Sequence, residues 1–171
     1  DERDVRATFA SLGAALQSHG DMHGALEACG QWLGAAPNAP GRKRALEQYC
    51  ELWKAHGEQF DHLALPLGSL YGHGHWKEEM LEAPSALDQV TDAVWTRGTP
   101  QNLLEITLNL QVKMGGPGLA RVVRGGLPSV RKINLKGCSG HTGRIPDEIS
   151  NCTELRQLQL FENALEGPIP L

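Results

Sequence analysis

Apolar residues near the start of the chain recur at helical spacing, in two stripes. The first stripe contains Phe9, Leu12 and Leu16, and the second contains Ala25, Cys29 and Trp32. Gly20 separates the two stripes and Pro37 ends the second, as glycine and proline do at helix ends. The pattern predicts two helices joined by a tight turn.

This helical hairpin resembles a tetratricopeptide repeat. Gly13 and Ala25 stand where the two helices of such a repeat approach closely. Trp32 departs from the pattern, because a small residue is usual at its position, and this predicts looser packing or an atypical terminal repeat. The positions that would carry a charged clamp for a carboxylate tail are occupied by Ala10 and Ala14, so we expect no such clamp.

Weaker copies of the first-helix pattern end at Gly57 and Gly98, at offsets of 37 and 41 residues. Residues 60–70 are then expected to form the second helix of a pair, kinked by Pro66. Thr99 and Pro100 predict the cap and first position of another helix, through about residue 113. The alternative for residues 103–113 is a degenerate leucine-rich strand, because their apolar residues lie 27 positions before a similar pattern.

A different spacing governs about 45 residues at the end of the chain. They contain the string Leu155-x-x-Leu158-x-Leu160-x-x-Asn163-x-Leu165-x-Gly167-x-Ile169-Pro170. A weaker copy, with Val130, Ile133 and Leu135, lies 25 residues earlier. This string resembles a plant-type leucine-rich repeat. The resemblance implies short strands buried by the neighbouring coil, with Asn163 turned inward to bond the backbone of adjacent loops.

The fold class predicted from these patterns is mainly α with a small β part. A helical-hairpin, tetratricopeptide-like array is expected at 1–113 and a short α/β leucine-rich-repeat solenoid of two coils at 127–171. Between them, the glycines of 114–126 predict a linker in which residues 119–124 can form only a short helix. We expect the solenoid to be truncated, with its end covered by further repeats or by a partner.

Strand alternation predicts a partner-binding surface on the solenoid. With Ile133, Leu135, Leu158 and Leu160 in the core, the residues between them face outward. The predicted contact residues are Lys132, Asn134, Lys136, Gln157, Gln159 and Phe161. Two cations and an aromatic among amides suit an acidic or mixed polar protein, with Phe161 as its anchor. The alternative is that Phe161 packs on a third coil.

Catalytic and metal-ligating patterns are missing from the sequence. The pairs His19/His23 and His73/His75 lack acidic or thiol partners at metal-ligand spacing, and no phosphate loop or nucleophile elbow occurs. Each of the four cysteines has a packing explanation, so we expect free thiols and an intracellular, reducing compartment, in the cytoplasm or an organelle interior. We predict a protein that is not an enzyme and has no cofactor, with a small metal-dependent enzyme as a remote alternative.

Charge narrows the class of partner. The chain holds 16 basic and 20 acidic residues, and this balance does not favour nucleic-acid binding through bulk charge. An acid-free basic segment, 121–136, keeps a nucleic-acid-binding module open as the alternative; its cations are Arg121, Arg124, Arg131, Lys132 and Lys136. No apolar stretch reaches the roughly 20 residues of a membrane span. The hypothesis is a protein–protein interaction scaffold, or an accessory or linker subunit of a larger complex, that takes no small-molecule substrate.

Overall fold

A computed structural model of the chain has helices in its first third and alternating helices and parallel strands thereafter. It describes residues 2–35, 39–65, 86–108, 116–124, 126–135, 142–161 and 163–170. The helices are α1 Glu2–Ser18, α2 Met22–Ala35, α3 Ala39–His56, α4 Ala86–Val94 and α5 Gly116–Val123, with 3-10 helices at Gly57–Gln59 and Asp147–Asn151. The strands are β1 His62–Leu65, β2 Glu105–Leu108, β3 Lys132–Asn134, β4 Thr142–Gly143, β5 Gln157–Gln159 and β6 Ala164–Leu165. The predicted class, mainly α with a small β part, is confirmed.

The predicted hairpin is formed by α1 and α2, and local chemistry explains its turn. Gly20 ends α1 in the left-handed conformation, with φ at 81°. Asp21 then caps α2 by accepting a hydrogen bond of 2.8 Å from the backbone N–H of Gly24. A Cβ atom at Gly13 would lie 3.7 Å from the Sγ atom of Cys29, so α1 and α2 approach closely at this small residue.

Four strands form one parallel sheet in the chain order β1, β2, β3, β5, and β4 pairs with β6 in a second sheet. The register aligns four apolar residues across the larger sheet: Leu63, Ile106, Ile133 and Leu158. The first three are buried and Leu158 is half-buried. The sheet spans the predicted linker, because β1 and β2 precede residues 114–126 and β3 and β5 follow them.

Two segments that were expected to be helical are strands. Residues 60–70 contain β1, and residues 99–113 contain β2, so the helix predictions for these segments are wrong and the strand alternative holds for 105–108. The apolar pairs Phe60/Leu63 and Leu103/Ile106 are three residues apart, a spacing that suits a helix as well as the entry into a strand. Pairing of β1 with β2, and of β2 with β3, decides in favour of strands, because tertiary contacts override local propensity.

A layer of helices covers the inner side of the sheet, and we call it the helix layer. It consists of α3, α4, α5 and the 3-10 helix Asp147–Asn151, each packed against the next, while α2 packs on α3 and touches β1. The glycine-rich segment does contain a short helix, which begins at Gly116, earlier than expected. At Gly126, φ is 107° and a Cβ atom would overlap Asn151, so this position requires glycine.

The side chain of Asn163 links the segment after β5 to the segment after β3. Its Nδ2 atom donates hydrogen bonds to the backbone carbonyls of Leu135, at 3.0 Å, and Leu160, at 2.8 Å. The inward orientation expected for this side chain is therefore present. Cys138, which occupies the corresponding sequence position one coil earlier, lies outside the described residues.

Candidate partner-binding surface

The four strands of the larger sheet turn one set of side chains outward. These side chains form one continuous surface, which we call the strand face. It consists of His62, Ala64, Glu105, Thr107, Lys132, Asn134, Gln157 and Gln159, in two rows set by the register. All of them except Ala64 are polar, and all are exposed or half-buried. A parallel sheet whose outer side is polar has a solvated surface available for contacts with another molecule.

Four predicted contact residues lie together on the strand face. Lys132 pairs with Gln157 across β3 and β5, and Asn134 pairs with Gln159. Phe161 lies two residues after the end of β5 and is 48% exposed, the most exposed of the Phe, Tyr and Trp residues that the structure describes. Lys136 lies outside the described residues. The structure thus brings five of the six predicted residues to one area, and their role in binding stays a prediction.

A polar network crosses the strand face from β1 to β3. The Nζ atom of Lys132 lies 2.6 Å from Oε1 of Glu105, and the Thr107 hydroxyl donates to the same carboxylate at 3.4 Å. His62 Nε2 lies 3.1 Å from the Thr107 hydroxyl oxygen. The hydrogen bond from Lys132 lowers the pKa of Glu105, against the opposing effect of partial burial. Lys132 therefore presents less free positive charge than the sequence suggested.

Sequence reasoning missed Glu105, Thr107 and His62 as members of this surface. These residues lay in segments that were expected to be helical, so no strand alternation was applied to them. The usable signal was the offset of 27 residues between the apolar pattern of 103–108 and that of 130–135, which places Glu105 beside Lys132.

A further row of residues precedes the strands, and we call it the rim row. It consists of Asp61, Leu104, Arg131 and Arg156, all exposed. Their backbones are joined in sequence by hydrogen bonds: the Leu104 N–H to Asp61 at 2.7 Å, the Arg131 N–H to Leu104 at 2.8 Å and the Arg156 N–H to Arg131 at 2.9 Å. The rim row is acidic at its β1 end and basic beside β3 and β5.

The basic segment 121–136 does not act as one cationic patch. Arg121 forms a 2.7 Å ion pair with Asp88, and Arg124 pairs with Asp92, so both arginines join α5 to α4 in the helix layer. Arg124 also lies over the ring of Trp95, 5.9 Å from its centroid. With Lys132 paired to Glu105, three of the cations of this segment are matched by carboxylates.

A groove of about 380 Å³ lies between α1 and α3, above Cys29 of α2. Ala14, one of the two positions at which the sequence analysis expected no charged clamp, forms part of one wall. The opposite wall carries Glu47 and Glu51. Burial raises the pKa of the Cys29 thiol to about 11, so the thiol is not poised as a nucleophile. Among the described residues, the lining of this groove contains no cation that could hold a carboxylate tail.

The remaining candidate residues occupy packing positions. The ring of His23 meets Phe60 edge to face at 5.5 Å. Cys29, Cys50 and Cys152 are buried free thiols, whereas His73, His75 and Cys138 lie outside the described residues. In the described ranges, no group of three metal-ligating side chains comes together.

The helices in the described part of the chain are all too short or too polar to cross a membrane. Comparison with known proteins gives no relative: no protein-family model matches the chain, and no curated protein and no solved structure is significantly similar to it. The function must therefore be argued from the surfaces of the chain itself.

Proposed function

We propose that this chain is a non-enzymatic protein–protein interaction scaffold, or an accessory or linker subunit of a larger complex, that binds a protein partner through its strand face. The observation that carries the proposal is the in-register parallel sheet, which presents a polar surface across four strands beside the half-exposed Phe161. Extended sheets of stacked coils commonly serve as binding surfaces in this way.

The architecture that we propose is a leucine-rich-repeat-type solenoid with a tetratricopeptide-like hairpin at its start. The solenoid has four coils in this proposal, because β1 and β2 continue the register of β3 and β5. The inward hydrogen bonds of Asn163 support it as well. In this arrangement α1 and α2 cover the end of the first coil, where its apolar surface would otherwise meet water.

The ion pairs of the basic segment argue against the nucleic-acid alternative. A protein that binds nucleic acid by neutralising phosphates needs unpaired cations on one surface. Here Arg121 and Arg124 are directed to carboxylates in the helix layer, away from Lys132 on the strand face. The strand face itself carries mostly neutral groups, which favour a protein partner.

Site-specific cross-linking tests the proposal. A photo-activated cross-linking residue is placed at Gln159 on the strand face and, as the matched control, at Arg44, which is exposed on α3. We expect the cross-linking residue at position 159 to capture one protein and the same cross-linking residue at position 44 not to capture it. The captured protein is then purified, and its affinity is measured for the original chain and for Phe161→Ala.

The expected result for Phe161→Ala is a loss of about 2 kcal/mol of binding free energy at an unchanged melting temperature, because an exposed aromatic anchor contributes to binding and little to folding. Equal capture from Gln159 and Arg44 would contradict the proposal. So would a Phe161→Ala variant that binds normally but melts at a lower temperature, since Phe161 would then be a packing residue.

A further inference from the structure

We infer that the strand face binds an acidic polypeptide segment, whose carboxylate is held by Arg131 and Arg156 and whose apolar side chain contacts Phe161. The inference rests on the proposed function and names the chemistry of the partner. It assigns a binding role to two arginines of the rim row.

Arg131 and Arg156 are neighbours on adjacent strands. The backbone carbonyl of Arg131 accepts hydrogen bonds from the N–H groups of Arg156, at 2.9 Å, and Gln157, at 3.0 Å. Adjacent strands lie about 4.8 Å apart, so the two side chains start from neighbouring backbone positions and both guanidinium groups can reach one carboxylate. Both side chains are exposed, that of Arg156 to 72%. Two planar forks at this separation fit a carboxylate, which can accept two hydrogen bonds from an arginine.

The chain supplies little negative charge to these arginines. In the described ranges, the carboxylate beside Arg156 is that of Glu154, at 4.0 Å, and both side chains are largely exposed, so the pair contributes little. Within the described ranges Arg131 has no ion pair. Lys132, the residue after Arg131, differs because its Nζ atom lies 2.6 Å from Oε1 of Glu105, which neutralises its charge. Among the described residues beside β3 and β5, the two arginines therefore carry the positive charge that no close carboxylate neutralises, and an acidic partner complements it.

Phe161 lies at the other end of the same strand. It follows Arg156 by five residues, which corresponds to about 16 Å of extended chain. An extended partner segment lying along β5 would reach both sites with an acidic residue and an apolar residue four or six positions apart, because an even spacing turns both side chains to the same side of the segment. The amides of Gln157 and Gln159 lie between the two sites and can hydrogen-bond the segment's backbone.

Binding of synthetic peptides to the full chain tests this inference. The probe is a fluorescently labelled peptide with two glutamates followed, four positions after the second, by leucine, and its affinity is measured by fluorescence anisotropy at about 50 and 200 mM salt. Matched control peptides carry glutamine in place of both glutamates, or carry the leucine only two positions after the second glutamate. We expect the first peptide to bind most tightly, and more weakly at the higher salt concentration.

Variants of the chain test which of its residues bind the peptide. We expect the double variant Arg131→Gln/Arg156→Gln to lose about tenfold or more in affinity, and Arg131→Lys/Arg156→Lys to lose less, because lysine keeps the charge but not the fork. Phe161→Ala should weaken the leucine peptide and leave a peptide without leucine unchanged. Arg44→Gln removes one charge from α3 and should have no effect. Melting temperatures of all variants show whether each has folded.

Three outcomes would overturn the inference: equal binding of the glutamate and glutamine peptides, full affinity in the folded Arg131→Gln/Arg156→Gln variant, or tighter binding of a single-stranded oligonucleotide through the same arginines. If the peptides fail while Gln159 still captures a protein, the acidic segment is wrong and the proposed scaffold function stands. If capture fails as well, both are wrong.

Discussion

The hydroxyl group of Tyr49 on α3 donates a hydrogen bond of 2.8 Å to the backbone carbonyl of Ala64 on β1. Tyr49 is 1% exposed, and burial raises the pKa of its hydroxyl above the ordinary value. The bond therefore joins the helix layer to the first strand in a place where water cannot substitute for it.

Removing this hydroxyl should destabilise the chain. Tyr49→Phe keeps the ring and leaves the Ala64 carbonyl without its partner, so we expect a loss of about 1–2 kcal/mol in the free energy of unfolding. Urea unfolding followed by circular dichroism measures it. An unchanged unfolding midpoint would show that the carbonyl finds another donor.

Gly126→Ala should cost more stability than Gly98→Ala. Both glycines have positive φ, at 107° and 91°, but only a Cβ atom at Gly126 meets another residue, Asn151, whereas nothing lies within 4 Å at Gly98. We expect Gly98→Ala to lower the free energy of unfolding by about 1 kcal/mol, the cost of the backbone conformation alone, and Gly126→Ala to lower it by clearly more. Thermal unfolding of the two variants side by side measures the difference, and equal costs would argue against the close contact.

The pairing of Glu105 with Lys132 should make stability depend on pH in the acidic range. Because the pKa of Glu105 is lowered on folding, its contribution is present above its unfolded pKa, about 4.3, and is lost as the pH falls through the lowered value. The pair is partly exposed, so we expect Glu105→Gln to cost at most about 1 kcal/mol at pH 7.

Urea unfolding of the original chain and of Glu105→Gln across pH 3–7 measures that dependence. The difference between them should shrink below about pH 4. Lys132→Gln serves as the matched control, since removing either partner removes the same pair. A difference that stays constant with pH would mean that the carboxylate is not stabilised by Lys132.

The thiols of Cys29 and Cys50 should react slowly in the folded chain. Burial raises the pKa of each to about 11, so about 0.1% of either is thiolate at pH 8. In a Cys138→Ser background, we expect iodoacetamide to leave both unmodified in buffer and to modify both in guanidinium chloride, as seen by mass spectrometry of the digested chain. Modification of Cys29 at the rate of a free thiol would contradict its burial.

The parts of the fold that the sequence predicted are those determined locally. Gly20 and the stripe of Phe9 and Leu16 define the first hairpin within some twenty residues, and Leu158 and Leu160 define β5 through simple alternation. β1 escaped prediction, and β2 was only the alternative to a helix, because Phe60 and Leu103 precede apolar residues at a spacing that both helix and strand accept.

Long-range pairing explains what was missed at the candidate site. Lys132 and Asn134 followed from alternation within one strand. Glu105 beside Lys132 did not, because their contact joins residues 27 positions apart. Asp88 and Asp92 likewise neutralise Arg121 and Arg124 from an earlier helix, so a basic run in the sequence became a set of ion pairs in the structure.

In the described part of the chain, four helices of the helix layer cover four strands, but helices and strands pack at different spacings. Neighbouring α-helices pack with their axes about 8–10 Å apart, whereas neighbouring strands lie about 4.8 Å apart. Because the helix layer is therefore wider than the sheet that it covers, the sheet must bend around an axis on its outer side. The strand face is therefore the concave side of the sheet, and Arg131, Arg156 and Phe161 lie at the end of it that β3 and β5 form.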